Sequence, residues 1–160
     1  MMHVGKAERS ARYRIALAGV AAQLRSDRGY SRIDAGMLAR QLIDPQASCA
    51  VCGVTNATLA ELHERGGAGG DQPFLSGPAT MNRRLTVDRI DQWGPHELAN
   101  TRLACWPCNK LRGAAIRSDD VVASQVRAWW RANAPADLIG WLECPAPAAA
   151  PRTVDIAAAF

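Results

Sequence analysis

Four cysteines, arranged as two CxxC pairs, have the type and spacing of metal ligands. Cys49 and Cys52 form the first pair and Cys105 and Cys108 the second, with 52 residues between the pairs. Four thiolates suit the tetrahedral coordination of Zn²⁺, and a site closed by four protein ligands has no open position for chemistry. Redox-active dithiols and unrelated buried cysteines are the alternatives, but neither pair lies in the βαβ pattern of a redox motif. The sequence therefore predicts one structural zinc ion, with Cys144 as a bystander thiol.

A second group of functional residues lies around the second cysteine pair, in the segments VDRID, LAN and RLACWPCNKLRG. This order of motifs resembles the HNH endonuclease family, whose small fold is two strands and a helix closed around a metal ion. The resemblance covers roughly residues 49–113 and is densest from residue 85 onward. It implies that Asp88 and Asn109 hold a catalytic Mg²⁺ or Mn²⁺ and that Asn100 braces the loop between them. Carboxylate and amide oxygens are hard ligands that suit these cations.

The chain departs from the family pattern at the general base. The family places a histidine where this chain has Arg89. Arginine stays protonated at physiological pH and cannot accept a proton from water, although it could hold a phosphate or stabilise the transition state. The base must then be another residue, and Asp91, His96 and His63 are the candidates. An exposed loop histidine without a role is an equally good interpretation of His96.

The other residues of this region also have structural interpretations. Asp88 could form a salt bridge with a neighbouring arginine, and Asn109 could cap a helix. Positive charge is concentrated around the second cysteine pair, in a chain of net charge +4 and pI near 9.0; the residues are Arg83, Arg84, Arg89, Arg102, Lys110, Arg112 and Arg117. Of these, Lys110, Arg112 and Arg117 could contact phosphates or form a solvated helix face.

Hydrophobic periodicity and turn residues predict an α+β fold with N-terminal helices and a C-terminal helix, and the family resemblance implies a small ββα-metal (HNH-like) core between them. The expected segments are an N-terminal helical region at 1–45, the HNH-like core at 46–117, a helical extension at 118–143 and a disordered tail at 144–160. The expected elements are a helix over about 6–28, a helix capped by Asp34, strands at 84–90 and 101–104, a helix from Asn109, and a helix from Ser118 to Pro135. Arg9, Arg12 and Arg14 of the first helix could face DNA or simply be solvated.

The predicted function is a metal-dependent endonuclease that hydrolyses phosphodiester bonds of DNA, with double-stranded DNA as the expected substrate and a phage or defence setting as one context. The alternative is a catalytically silent zinc module that binds DNA or a protein partner. A third interpretation is an accessory subunit that is active only in a complex. No apolar run approaches the length of a membrane span and no secretory signal is evident, so we expect a cytoplasmic protein. The oligomeric state stays open.

Overall fold

The computed structural model describes residues 6–65, 83–114 and 118–147. These ranges contain helices and a small antiparallel sheet, as expected for an α+β chain. In chain order the elements are α1 (Lys6–Arg28), α2 (Arg32–Ile43), α3 (Asn56–Glu64), β1 (Thr86–Arg89), β2 (Thr101–Ala104), α4 (Trp106–Ala114) and α5 (Asp119–Asn133). Short 3₁₀ turns at Leu98–Asn100, Ala136–Leu138 and Gly140–Glu143 complete them.

A tight turn joins α1 to α2 and determines where α2 begins. Gly29 has φ +70°, a left-handed conformation that glycine adopts without the steric cost of a side chain. Ser31 then caps α2, because its side-chain oxygen accepts a hydrogen bond from the backbone N–H of Asp34. The expectation that Asp34 is the cap is therefore wrong. Asp34 lies in the first helical turn, where its negative charge suits the helix dipole.

Strands β1 and β2 form a two-stranded antiparallel hairpin that is followed directly by α4. The register pairs Asp88 with Arg102 and Arg89 with Thr101. Strand β1 is shorter than the predicted 84–90, whereas β2 has the predicted bounds. Helix α4 begins at Trp106 rather than at Asn109, because the Asn109 N–H already donates to the Cys105 carbonyl. The second cysteine pair therefore lies at the start of the helix.

The buried apolar side chains form one cluster that includes residues of the N-terminal helices, both strands and α5. Trp130 is 2% exposed and lies in this cluster, whereas its neighbour Trp129 is half-buried and meets it edge-on at 4.6 Å. The two rings differ in burial because adjacent residues of a helix do not point to the same face. Pro135 follows the end of α5, as predicted.

The chain beyond α5 packs on the core further than the sequence suggested. Ala146 and Pro147 belong to the segment that was expected to be a disordered tail. Ala146 is partly buried against the cluster, and Pro147 lies beside Gly53. Residues 148–160 of the predicted tail lie outside the described residues. Among the described residues, no helix is both long enough and apolar enough to cross a membrane.

Candidate metal centre and polar site

The four predicted ligands converge in one buried cluster. The sulfur atoms of Cys49, Cys52, Cys105 and Cys108 all lie within 4.8 Å of one another, and all four residues are fully buried. The first pair forms a turn in which two backbone N–H groups donate to the Cys49 sulfur at 3.4 Å. Gly53 allows this turn because its φ is +90°. The cluster could therefore hold a metal ion, as the spacing predicted.

The electrostatics of this cluster favour a bound cation. Burial raises the pKa of the Cys105 thiol well above its ordinary value. Burial also acts to raise the pKa of Cys49, but hydrogen bonds from the other three cysteines outweigh it and hold that pKa well below the usual range. Four buried thiolates repel one another, so a central divalent cation is required for all of them to ionise together. The donor set and the closed geometry fit zinc.

Backbone contacts connect the two halves of the cysteine cluster to the rest of the chain. The Ala50 N–H donates to the Leu103 carbonyl at 2.9 Å, which ties the first cysteine turn to β2. The buried Arg127 of α5 donates to the Cys52 carbonyl at 2.9 Å and to carbonyls of the C-terminal segment. A positive charge therefore lies beside the first cysteine turn, bonded to its backbone.

Asp88 lies at the centre of a buried ion-pair network. Its side chain is 8% exposed, and its Oδ2 accepts hydrogen bonds from Arg102 Nε at 3.0 Å and Arg112 Nη1 at 2.9 Å. Arg102 also makes a bidentate pair with Asp119 at 2.5 and 2.8 Å. Burial raises the pKa of Asp88 despite the attraction of Arg112 and Arg102. The salt bridge considered from the sequence is thus present, with two arginines.

One carboxylate oxygen of Asp88 takes no part in this network. Both guanidinium groups contact Oδ2, and within the described residues Oδ1 has no hydrogen-bond donor. Asn109 is placed similarly: its amide nitrogen donates to Thr86 Oγ1 at 3.1 Å and to the Val87 carbonyl at 3.2 Å. Within the same ranges its Oδ1 makes no hydrogen bond. Asp88 on β1 and Asn109 on α4 thus each keep one side-chain oxygen without a hydrogen bond among the described residues.

Asn100 braces the loop between the two strands. Its buried side chain accepts the Asp91 N–H at 2.8 Å and donates to the carbonyls of Asp91 and Pro95 at 2.9 and 3.0 Å. Gly94 packs so closely that a Cβ there would lie 2.6 Å from the Asn100 amide nitrogen. Asn100 therefore has the bracing contacts that the family resemblance implied.

Arg89 and His96 lie on the other side of the hairpin from Asp88. Neighbouring strand residues point to opposite faces, and the cross-strand partner of Arg89 is Thr101, whose hydroxyl is 2.8 Å from that of Tyr30. The His96 ring packs on Tyr30 with centroids 5.4 Å apart. Burial and the positive charges of Arg89 and Arg28 lower the pKa of His96.

The remaining predicted site residues lie outside both the cysteine cluster and the Asp88 network. Asp91 is exposed and its Oδ1 accepts the Trp93 N–H, which forms a turn. His63 lies in the last turn of α3 and Cys144 is exposed. Lys110 is exposed with its amine 5.8 Å from the Trp106 ring. Arg117 lies outside the described residues, and so does the side chain of Arg9.

Sequence reasoning missed the role of two residues in the Asp88 network. Arg102 appeared only as one of several basic residues, and Asp119 was not considered. The pairing of the two predicted strands would have placed Arg102 opposite Asp88, so that contact had a signal in the sequence. Asp119 had none, since its contact depends on how α5 packs on the hairpin.

Comparisons with protein-family models, with curated proteins and with solved structures found no match to this chain.

Proposed function

We propose that this chain is a zinc-stabilised HNH-type endonuclease that hydrolyses phosphodiester bonds of DNA with the help of a divalent cation. The observation that carries the proposal is the pair of uncommitted oxygens on Asp88 and Asn109. They come from different elements, β1 and α4, and the remaining atoms of both side chains are fixed by hydrogen bonds within the fold. Fixed hard oxygens from two elements suit Mg²⁺ or Mn²⁺.

The arginines around Asp88 set the strength of such a site. Asp88 and Asp119 together balance the charges of Arg102 and Arg112, so the network is close to neutral. A cation at Asp88 Oδ1 would therefore be held weakly by the protein and more strongly once a DNA phosphate contributes its charge. When bound, the cation would polarise the scissile phosphate and stabilise charge on the leaving oxygen.

The groups for phosphate binding and proton transfer must reach the substrate from the loop between β1 and β2, because Arg89 and His96 lie on the opposite face of the hairpin from Asp88. Arg89 keeps its positive charge and can hold a phosphate oxygen of the substrate. We assign proton abstraction from water to His96, because its lowered pKa keeps the imidazole neutral at pH 7. Tyr30 packs against the ring and limits its rotation. Asp91 is the less suitable base, since one of its carboxylate oxygens already accepts a hydrogen bond within the turn.

Nicking of supercoiled plasmid tests this proposal. Zinc-loaded protein is incubated with plasmid and Mg²⁺ or Mn²⁺, beside Asn109→Ala, His96→Ala and Asp91→Asn variants purified identically. The expected result is nicking that is lost in the first two variants and retained in the third. Circular dichroism and zinc content verify that each variant is folded. Nicking that persists in both Asn109→Ala and His96→Ala would come from elsewhere and overturn the assignment.

A zinc module that binds DNA without cleaving it is the second candidate. Two features favour this binding module. Arg89 stands at the position of the family's base and cannot accept a proton, and two arginines occupy one oxygen of Asp88, which a hydrolytic centre would need as a cation ligand. In that case the protein would retard DNA in a gel, with no nicking in either metal, and Asn109→Ala would bind DNA as the unaltered chain does.

A further inference from the structure

The loop between β1 and β2 exposes an aromatic ring to solvent on a backbone that is held by hydrogen bonds. Trp93 is 86% exposed, the largest value among the exposed large hydrophobic residues of the described ranges. Single exposed apolar side chains are common and need no explanation by themselves. Trp93 differs because the backbone that carries it is held so tightly.

Three neighbours fix that backbone. The Trp93 N–H donates to the Asp91 carboxylate at 2.9 Å. The next residue, Gly94, donates its N–H to the Asp91 carbonyl and receives a hydrogen bond at its own carbonyl from Arg89 Nη1 at 3.1 Å. Behind them the buried Asn100 side chain makes its hydrogen bonds to the same loop. A preorganised loop loses little conformational entropy when its exposed side chain binds a ligand.

Two arginines, Arg89 and Arg28, lie beside this loop. Arg89 bonds directly to the loop, and both Arg89 and Arg28 are close enough to His96 to lower its pKa. The exposed acids Asp91 and Glu97 also lie in this loop. Both acids keep their negative charge, so the loop offers phosphates the placement of Arg89 and Arg28 beside His96 rather than an excess of positive charge.

We propose that Trp93 stacks on an unstacked base of DNA while Arg89 and Arg28 contact the flanking phosphates. This inference rests on the proposed action on DNA and names the form of DNA bound, a single-stranded or locally opened segment. Aromatic rings bind such segments by stacking on base faces, and a positively charged surface follows the backbone. A closed duplex offers base edges in its grooves instead, so an aromatic ring on a rigid loop has no base face to cover.

Binding to three matched DNA probes tests this inference. The probes are a single-stranded oligonucleotide, the same length of sugar–phosphate backbone without bases, and a closed duplex, each with a fluorescent label. Binding of the zinc-loaded full chain is measured by anisotropy for the unaltered protein, Trp93→Ala, and Tyr13→Ala as a control that also removes an exposed aromatic ring (51% exposed). Because Trp93 is so exposed, its removal leaves the core intact.

The unaltered chain should bind the single strand about tenfold more tightly than the base-free backbone, and Trp93→Ala should remove this difference. Tyr13→Ala should bind as the unaltered chain does. Arg89→Ala should weaken binding to both single-stranded probes and reduce the salt dependence. Two results would overturn the stacking role alone. Trp93→Ala could weaken binding to the base-free backbone or to the duplex as much as binding to the single strand, or it could leave binding to the single strand unchanged. Failure of the unaltered chain to bind any probe would contradict both this inference and the proposed function.

Discussion

The cysteine cluster and the Asp88 network are both buried, and both bring together residues from distant parts of the chain. They differ in how their charge is balanced. Around Asp88 two arginines face two carboxylates, so the protein itself supplies the opposite charges. The four sulfurs face one another, and Arg127 approaches only a backbone carbonyl of the first pair. The cysteine cluster could therefore balance its charge with a bound metal ion, whereas the fold itself balances the charge of the Asp88 network.

Removal of zinc should have the largest effect. Cys105→Ser, or chelation of the ion, should unfold the core around the hairpin, because zinc binding to such sites contributes about 10–16 kcal/mol to folding. Circular dichroism and zinc content by mass spectrometry measure this. Cys144→Ser is the control and should keep both the metal and the melting temperature, since Cys144 lies outside the cluster. A stable, metal-free native chain would contradict the difference between the two centres.

Neutralising Asp88 should destabilise the fold less, and without any metal dependence. Asp88→Asn leaves Arg102 and Arg112 with an unbalanced positive charge, and breaking a buried pair costs about 3–5 kcal/mol. Urea unfolding of zinc-loaded protein measures the loss. Asp137→Asn removes a carboxylate from an exposed pair with Arg65 and should change stability little. Equal effects of the two substitutions would show that the Asp88 network does not contribute as a buried one.

A side chain at Gly94 should disturb the loop but neither centre. Gly94→Ala places a Cβ 2.6 Å from the Asn100 amide and should cost about 1–3 kcal/mol through overpacking. The zinc content should stay unchanged. Thermal melts and hydrogen exchange at the Asp91 N–H are the measurements. Unchanged exchange at that amide would show that Asn100 does not hold the loop as described.

The smallest effect concerns the protonation of His96. Burial, Arg89 and Arg28 all favour the neutral imidazole, so the pKa should lie below the ordinary 6.5, and the acidic limb of any activity profile should lie below that pH as well. Arg89→Ala should raise this pKa, because a positive neighbour is removed. NMR titration of the three histidines of the chain measures the shift. A pKa at or above 6.5 in the unaltered chain would remove the basis for assigning His96 as the base.

Local patterns predicted much of this architecture, and apart from one helix cap the failures are non-local. The cysteine spacing identified the four residues of the cluster, and the alternating segment before Asp88 identified the hairpin. The cap at Ser31 was missed because Asp34 is an equally good capping residue by type. The positions of Arg102 and Asp119 depend on strand register and on the packing of α5, which no single segment encodes. His96 was a candidate by type alone, and its ring contact with Tyr30 required the α1–α2 turn.

Binding of Mn²⁺ to zinc-loaded protein tests the central claim most directly. Electron paramagnetic resonance of free Mn²⁺ is followed as protein and a short DNA duplex with a single-stranded overhang are added, with zinc content monitored to exclude exchange at the cysteines. We predict that about one Mn²⁺ binds per chain, more tightly with DNA present, and that Asn109→Ala abolishes this binding. The absence of Mn²⁺ binding with DNA, or binding that Asn109→Ala leaves unchanged, would contradict a hydrolytic centre at Asp88 and Asn109.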